Sequence, residues 1–218
     1  MATSTEENYL KAIFNLEEEK GTATVGDIGA ALEVTSGTVT TMMHALSEKG
    51  LIDYAPRRGL KLSERGTLAA LRVVRRHRLI ELFLVNVMKL DWSEVHDEAE
   101  DLEHVISDRL LDRMDEMLGH PTHDPHGDPI PDKDGKTIRD TSTSLAEASE
   151  GHYRVVRVSD DDSAVLEWLT DKQVSIGGEF VLNCKDLAGG VLEIQRAEKP
   201  PLQIGVELAR HLFVEPTN

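Results

Sequence analysis

The stretch DIGAALEVTSGTVTTMMHALSEKGLI, residues 27–52, decides how this chain is read. Ile28, Ala31 and Leu32 share one side of a short helix that starts near Thr24. After Val34, Thr35 or Ser36 can cap a second helix, which buries Val39, Met42, Met43 and Leu46 and stops at Gly50. Upstream, Tyr9, Leu10, Ile13, Phe14 and Leu16 recur at helical spacing over residues 5–19, and Lys20-Gly21 ends that run. Downstream, residues 51–54 and 59–62 alternate like strands around a turn at Pro56, Arg57, Arg58 and Gly59. Helix, helix, short turn, helix, then a two-stranded ribbon is the order of a winged helix-turn-helix. Its last helix, here roughly 36–48, lies in the major groove of DNA. The expected contacts are Thr35, Ser36, Thr38, Thr40 and Thr41, with His44 on the same polar face and Arg57 and Arg58 at the ribbon tip. Short hydroxyls suit modest base readout, and arginines suit phosphates. A helical bundle could contain the same spacing, but the strand pair favours the winged form.

The chain has 218 residues, 39% hydrophobic and 29% charged, so it has the composition of a folded globular protein. Its formal net charge of -16 argues against general adhesion to nucleic acid. The charge is uneven, however. Residues 57–78 hold eight basic side chains against Glu64 alone. A local DNA contact and a solvated helix face account for that island equally well. No apolar run is long enough to span a bilayer and the N-terminus does not read as a signal peptide. Cys184 is the single cysteine, which excludes an internal disulfide and fits a reducing cytoplasm. It is expected to be packed.

Residues 63–119 read as helical almost throughout, with Leu68, Leu71, Val74, Leu79, Leu82, Phe83 and Val87 marking one long helix. Apolar stripes of this length are expected to pack against a second copy, giving a homodimer. GHPTHDPHGDPIPDKDGKT (119–137) reads as a loop, and its histidines His120, His123 and His126 as solvated. From His152 short strands and glycine turns take over. The expected fold is therefore mainly α with a small β part. A winged helix-turn-helix covers residues 1–63, and a helical metal-binding and dimerisation domain covers 64–140. A linker over 141–151 leads to an SH3-like β-barrel over 152–218.

HDEAEDLEH, residues 96–104, holds two histidines and five carboxylates. On a helix His96, Glu100, Glu103 and His104 share a face, and His77 and Glu81 form another such pair on the preceding helix. Six nitrogen and oxygen donors exceed what one ion needs from protein, so two ions are expected. With no thiolate among them, the set suits Mn(II), Fe(II), Co(II) or Zn(II). Salt bridges to neighbouring arginines are the alternative. A dinuclear hydrolase would use similar ligands. No HExxH and no general base outside the ligand set is present, so no enzyme is expected.

Taken together, ENYLKAIFNLEEEKG, the opening stretch, RGLKLSERG, RRHRLIELFL, VHDEAEDLEHVISD and HGDPIP resemble the diphtheria-toxin-repressor family of metal-dependent transcription regulators. The resemblance runs over almost the whole chain and implies a repressor that binds operator DNA to control metal-ion homeostasis genes. By position it implies an ancillary metal site at His77, Glu81 and His96, and a regulatory site at Glu100, Glu103 and His104. The regulatory site takes a further ligand from the first helix, here Asn8 or a backbone carbonyl beside it. Glu100 stands where iron-responsive members have Cys and manganese-responsive members have Glu. Lys11 stands where some manganese members have an acidic ligand. The resemblance thus implies Mn(II), with Fe(II) as the alternative and Zn(II) or Co(II) as substitutes in vitro. In longer members the SH3-like domain lends ligands. Asp160, in the acidic run 160–162, lies near the matching segment, and a solvated turn is the preferred account of that run.

Overall fold

The computed structural model describes residues 2–55, 59–159, 163–186 and 189–217, so Arg57, Arg58 and Asp160 lie outside the described residues. Helix α1 (Ser4–Lys20) starts where the Thr3 side chain accepts the Glu6 amide and the Glu6 carboxylate accepts the Thr3 amide. That reciprocal cap satisfies two donors which a helix start leaves open. Gly21 closes the helix at φ 73°, a left-handed conformation that costs glycine nothing. Thr24 and Thr35 cap α2 (Val25–Ala31) and α3 (Ser36–Glu48) in turn. Leu10, Ile13, Ile28, Val39, Met43 and Leu46 expose no surface and form one core with Ile52, Leu60 and Leu62. Truncating one of these leucines or isoleucines to alanine costs about 2–5 kcal/mol. Strands β1 (Ile52–Ala55) and β2 (Gly59–Leu62) pair antiparallel with Ile52 opposite Leu62. A Cβ at Gly66 would stand 1.9 Å from the Leu51 carbonyl oxygen, so only glycine lets the next helix begin against the base of this ribbon.

Helix α4 (Glu64–Phe83) does not continue regularly through Val87 as its apolar spacing suggests. It widens into a π-helical turn at Leu84–Met88 and ends at Lys89, φ 64°. Helix α5 (Val95–Leu102) is also shorter than the ligand pattern implies. Glu103 and His104 stand in the turn that follows it, because Val105 and Ile106 both donate back to the Leu102 carbonyl. Arg76 Nη1 takes the Glu103 carbonyl at 2.9 Å, and α6 (Asp108–Met117) then begins.

The chain forms two compact units. The first comprises Met1–His77, Glu100–Asp112 and Pro131–Thr137; the second comprises Arg78–Ala99, Arg113–Ile130 and Ile138–Asn218. Most of the second unit is β3 (Thr143–Ser144), β4 (Gly151–Val158), α7 (Ser163–Asp171), β5 (Glu179–Asp186), β6 (Val191–Gln195), β7 (Leu202–Gly205), α8 (Val206–Ala209) and β8 (Leu212–Pro216). Its strands make one antiparallel sheet in the order β3-β8-β4-β5-β6-β7. Leu145, Leu166, Leu169, Leu182, Leu192, Ile204 and Leu212 fill its core. The sheet is SH3-like but open: β3 and β7 are its edges and no hydrogen-bonded pairing among the described residues closes a barrel. Cys184 is exposed on β5, not packed, because a register shift between Leu182 and Cys184 breaks the inward alternation there. Among the described residues no helix is long and apolar enough to cross a membrane.

Candidate metal centre

In the first unit, α1, α4 and the end of α5 bring together Glu7, Lys11, Arg76, His77, Glu100, Glu103 and His104. Glu103 is the hub, and its side chain is fully buried. Its Oε2 lies 2.8 Å from Lys11 Nζ and 2.7 Å from His77 Nδ1. Its Oε1 lies 3.3 Å from His104 Nε2. The other ring nitrogen of His104, Nδ1, stands 2.8 Å from Glu7 Oε2. An ionised carboxylate only accepts, so Nδ1 carries the ring proton and a neutral ring presents a lone pair at Nε2. That lone pair faces a carboxylate oxygen. Neither atom has a hydrogen-bond partner among the described residues, and both are buried. Asn8 Oδ1, on α1 between Glu7 and Lys11, is a third buried polar atom without such a partner.

Acceptors facing acceptors away from water are costly unless a proton or a metal cation sits between them. A histidine whose far nitrogen is held by a carboxylate is also the usual arrangement of a metal ligand. The residues therefore fit a divalent ion. Glu7, which the sequence reading passed over, orients His104 and is itself gripped by both Arg76 terminal nitrogens at 3.2 Å. Its sequence signal was only its place one turn before Lys11.

The second unit holds a cluster of its own residues. Glu81 is fully buried; its Oε1 lies 3.5 Å from His96 Nδ1 and its Oε2 3.9 Å from His126 Nδ1. Candidate ligand atoms of Glu81, Asp124 and His126 all lie within 4.8 Å of one another, and all three residues are buried. His126 Nε2 stands 2.8 Å from the Trp92 carbonyl oxygen, and the indole stacks on the imidazole with centroids 5.7 Å apart. The carbonyl requires a proton on Nε2, which turns the Nδ1 lone pair toward Glu81. Asp124 Oδ1 accepts the amides of His126 and Asp128, leaving Oδ2 toward Arg78 Nε at 3.6 Å.

His126 corrects the expectation of a solvated loop, since it exposes no surface. Gly127 explains why: at φ +90° a Cβ there would stand 2.0 Å from the Val156 carbonyl oxygen, so the backbone lies tight against β4. Proline, glycine and aspartate are common to solvated loops and to such close turns, so composition hid the burial. His120 and His123 are exposed, as expected.

On α3 Val39, Met43 and Leu46 are fully buried and Met42, expected to be buried, is half-buried at the edge of that core, while Thr35, Ser36, Thr38, Thr41 and His44 are exposed and Thr40 is half-buried. The Thr40 and Thr41 hydroxyls donate to the carbonyls of Ser36 and Gly37, at 2.8 and 3.0 Å. Each keeps its acceptor lone pairs for an outside donor.

Residues 1–60 match the N-terminal DNA binding domain of iron dependent repressors, and residues 63–132 match their metal binding and dimerisation domain. The diphtheria toxin repressor of Corynebacterium glutamicum is 34% identical over 188 residues, which cover 80% of this chain and 82% of that protein. The chain belongs to the iron-dependent repressor family. The iron-dependent repressor IdeR of Mycobacterium tuberculosis is 41% identical over 127 residues, and the chain spans 55% of that relative's length. Among solved structures, a manganese-dependent transcriptional repressor in complex with manganese superposes with a TM-score of 0.90 at 34% identity, covering 96% of this chain and 98% of that one. The named relatives of this family member are repressors, not enzymes.

Proposed function

We propose that this chain is a metal-activated transcriptional repressor which binds operator DNA as a homodimer, with Mn(II) as its preferred ion and Fe(II) as the alternative. The carrying observation is the buried confrontation of His104 Nε2 and Glu103 Oε1 at 3.3 Å, with Glu7 behind the imidazole. Asn8, Glu100, Glu103 and His104 would hold one ion. Glu81 and His96 would hold a second, with Asp124 and His126 as further donors. All are nitrogen or oxygen donors, which favours Mn(II) and Fe(II) by hardness while Zn(II) and Co(II) can substitute.

A bound ion would add positive charge to a cluster whose three carboxylates already face Lys11 and Arg76. Asn8 and Glu7 then join α1, which packs on the same core as α3, to the turn carrying Glu103 and His104. Holding those elements in one arrangement sets where α3 presents its hydroxyl face to DNA. By linkage, DNA must tighten ion binding by the factor with which the ion tightens DNA binding. Exposed Leu102, Val105 and Leu110 in the first unit support a homodimer. The test is Mn(II) titration of chelator-treated protein beside Glu103→Ala. The expected result is saturable binding in the wild type, weakened at least 100-fold in the variant. Equal binding in both contradicts the assignment.

A further inference from the structure

One cation is already built into the first cluster. Lys11 reaches from α1 with its side chain only 11% exposed. Its ammonium lies 2.6 Å from Glu100 Oε1, 2.8 Å from Glu103 Oε2 and 3.0 Å from His77 Nδ1. Two carboxylate oxygens accept from this ammonium, and His77 Nδ1, which itself lies 2.7 Å from Glu103 Oε2, stands beside it. The two oxygens come from carboxylates three residues apart at the end of α5 and the nitrogen from α4, and these are donor types that a divalent ion would recruit. The resemblance marked position 11 but not these partners, the nearest of which is 66 residues away in the chain.

We propose that Lys11 is a tethered cation which permanently holds one cation position of this cluster and thereby sets its affinity for divalent ions. The inference rests on the metal-binding reading above and deepens it. The geometry divides Glu103 between two cations. Its Oε2 faces Lys11, and its Oε1 faces His104 Nε2 on the side where buried acceptors go unsatisfied. An ion on the Oε1 side leaves the ammonium in place and is bound in its field. Like charges a few ångströms apart repel strongly at low dielectric, so the lysine lowers ion affinity. It also keeps Glu100, Glu103 and His77 from gathering a second ion. Without a bound ion it supplies a full positive charge against the buried Glu103 carboxylate. Lys11 thus makes the ion-free protein stable and raises the ion concentration at which it responds.

The experiment takes the chelator-treated full chain as wild type, Lys11→Met, Lys11→Arg and Glu103→Gln. Bound Mn(II) is followed by the electron paramagnetic resonance signal of free Mn(II), and ion-free stability by thermal unfolding. Glu103→Gln marks which binding belongs to this cluster. Lys11→Met is expected to tighten that binding at least tenfold and to lower the ion-free Tm, while Lys11→Arg leaves both nearly unchanged. Lys11→Gln serves as the neutral variant should the methionine one not fold. Unchanged or weaker Mn(II) affinity in a folded neutral variant overturns the proposal. If the wild type shows no Glu103-dependent binding, the metal-binding reading fails instead. The unfolding series then still reads Lys11, and an unchanged ion-free Tm in the neutral variant contradicts its role as a tethered cation.

Discussion

Glu7 shows how much a single side chain decides here. Its carboxylate is shared between the Arg76 guanidinium and His104 Nδ1, so it fixes both the tautomer and the direction of the imidazole. Glu7→Gln keeps the shape and removes the charge. It is expected to weaken Mn(II) binding by about 10- to 100-fold, the usual effect of losing a partner behind a metal ligand. Calorimetric titration checks this, with circular dichroism confirming an unchanged fold; an unaltered affinity would show that His104 needs no such support. At this scale the sequence was informative where residue type and spacing carry the chemistry, as at Glu103 and His104. It was silent where partners are distant in the chain, as for Glu7 with Arg76, 69 residues apart. It misled at His126, whose burial follows from the close approach of Gly127 to β4 and not from any local pattern.

At the scale of elements, caps and breaks matter more than the helical stripes themselves. The α1 start couples Glu6 to two partners, the Thr3 amide and the Lys49 ammonium, the latter at 2.5 Å. The Lys49 hydrogen bond, opposed by burial and aided by the Thr3 amide, holds the Glu6 carboxyl below its ordinary value of 4.5. A depressed carboxyl stabilises the fold above its unfolded-state pKa, and that stability is lost as pH falls through the folded value. Glu6→Gln should therefore cost stability near neutral pH, about 0.3–1.5 kcal/mol as for other capping interactions. The difference from wild type should vanish in acid below the depressed value. Urea unfolding at neutral and acid pH measures it, and a cost that persists unchanged in acid would contradict the electrostatic account. Element types and the α3 bounds were legible from apolar period and capping threonines. The early end of α5 and the π-helical turn after Phe83 were not. Both depend on which amide reaches which carbonyl, and the apolar spacing continues past them. The open edges of the sheet escaped notice for a related reason, since β3 is only two residues long.

At the scale of the molecule, charge frames the function. For a chain of net charge -16 to meet DNA through the hydroxyl-bearing face of α3, positive charge would have to come from elsewhere. Within the basic run over residues 57–78, Arg75 is buried and Arg76 and Arg78 are held in ion pairs, so bound ions would have to supply part of that charge. Winged-helix order and ligand types were both readable because each rests on local periodicity. The burial of Asp124 and His126 beside Glu81 was not, because it is made by tertiary packing. The central claim is that ion occupancy controls DNA binding. The most direct measurement is fluorescence anisotropy of labelled duplex DNA from the gene's own upstream region. Chelator-treated protein would be titrated into it with and without Mn(II), anaerobic Fe(II) or Zn(II), beside Glu103→Ala. The account predicts tight, saturable binding only with ion, strongest with Mn(II), and its loss in the variant. Equal binding with and without ion would contradict it.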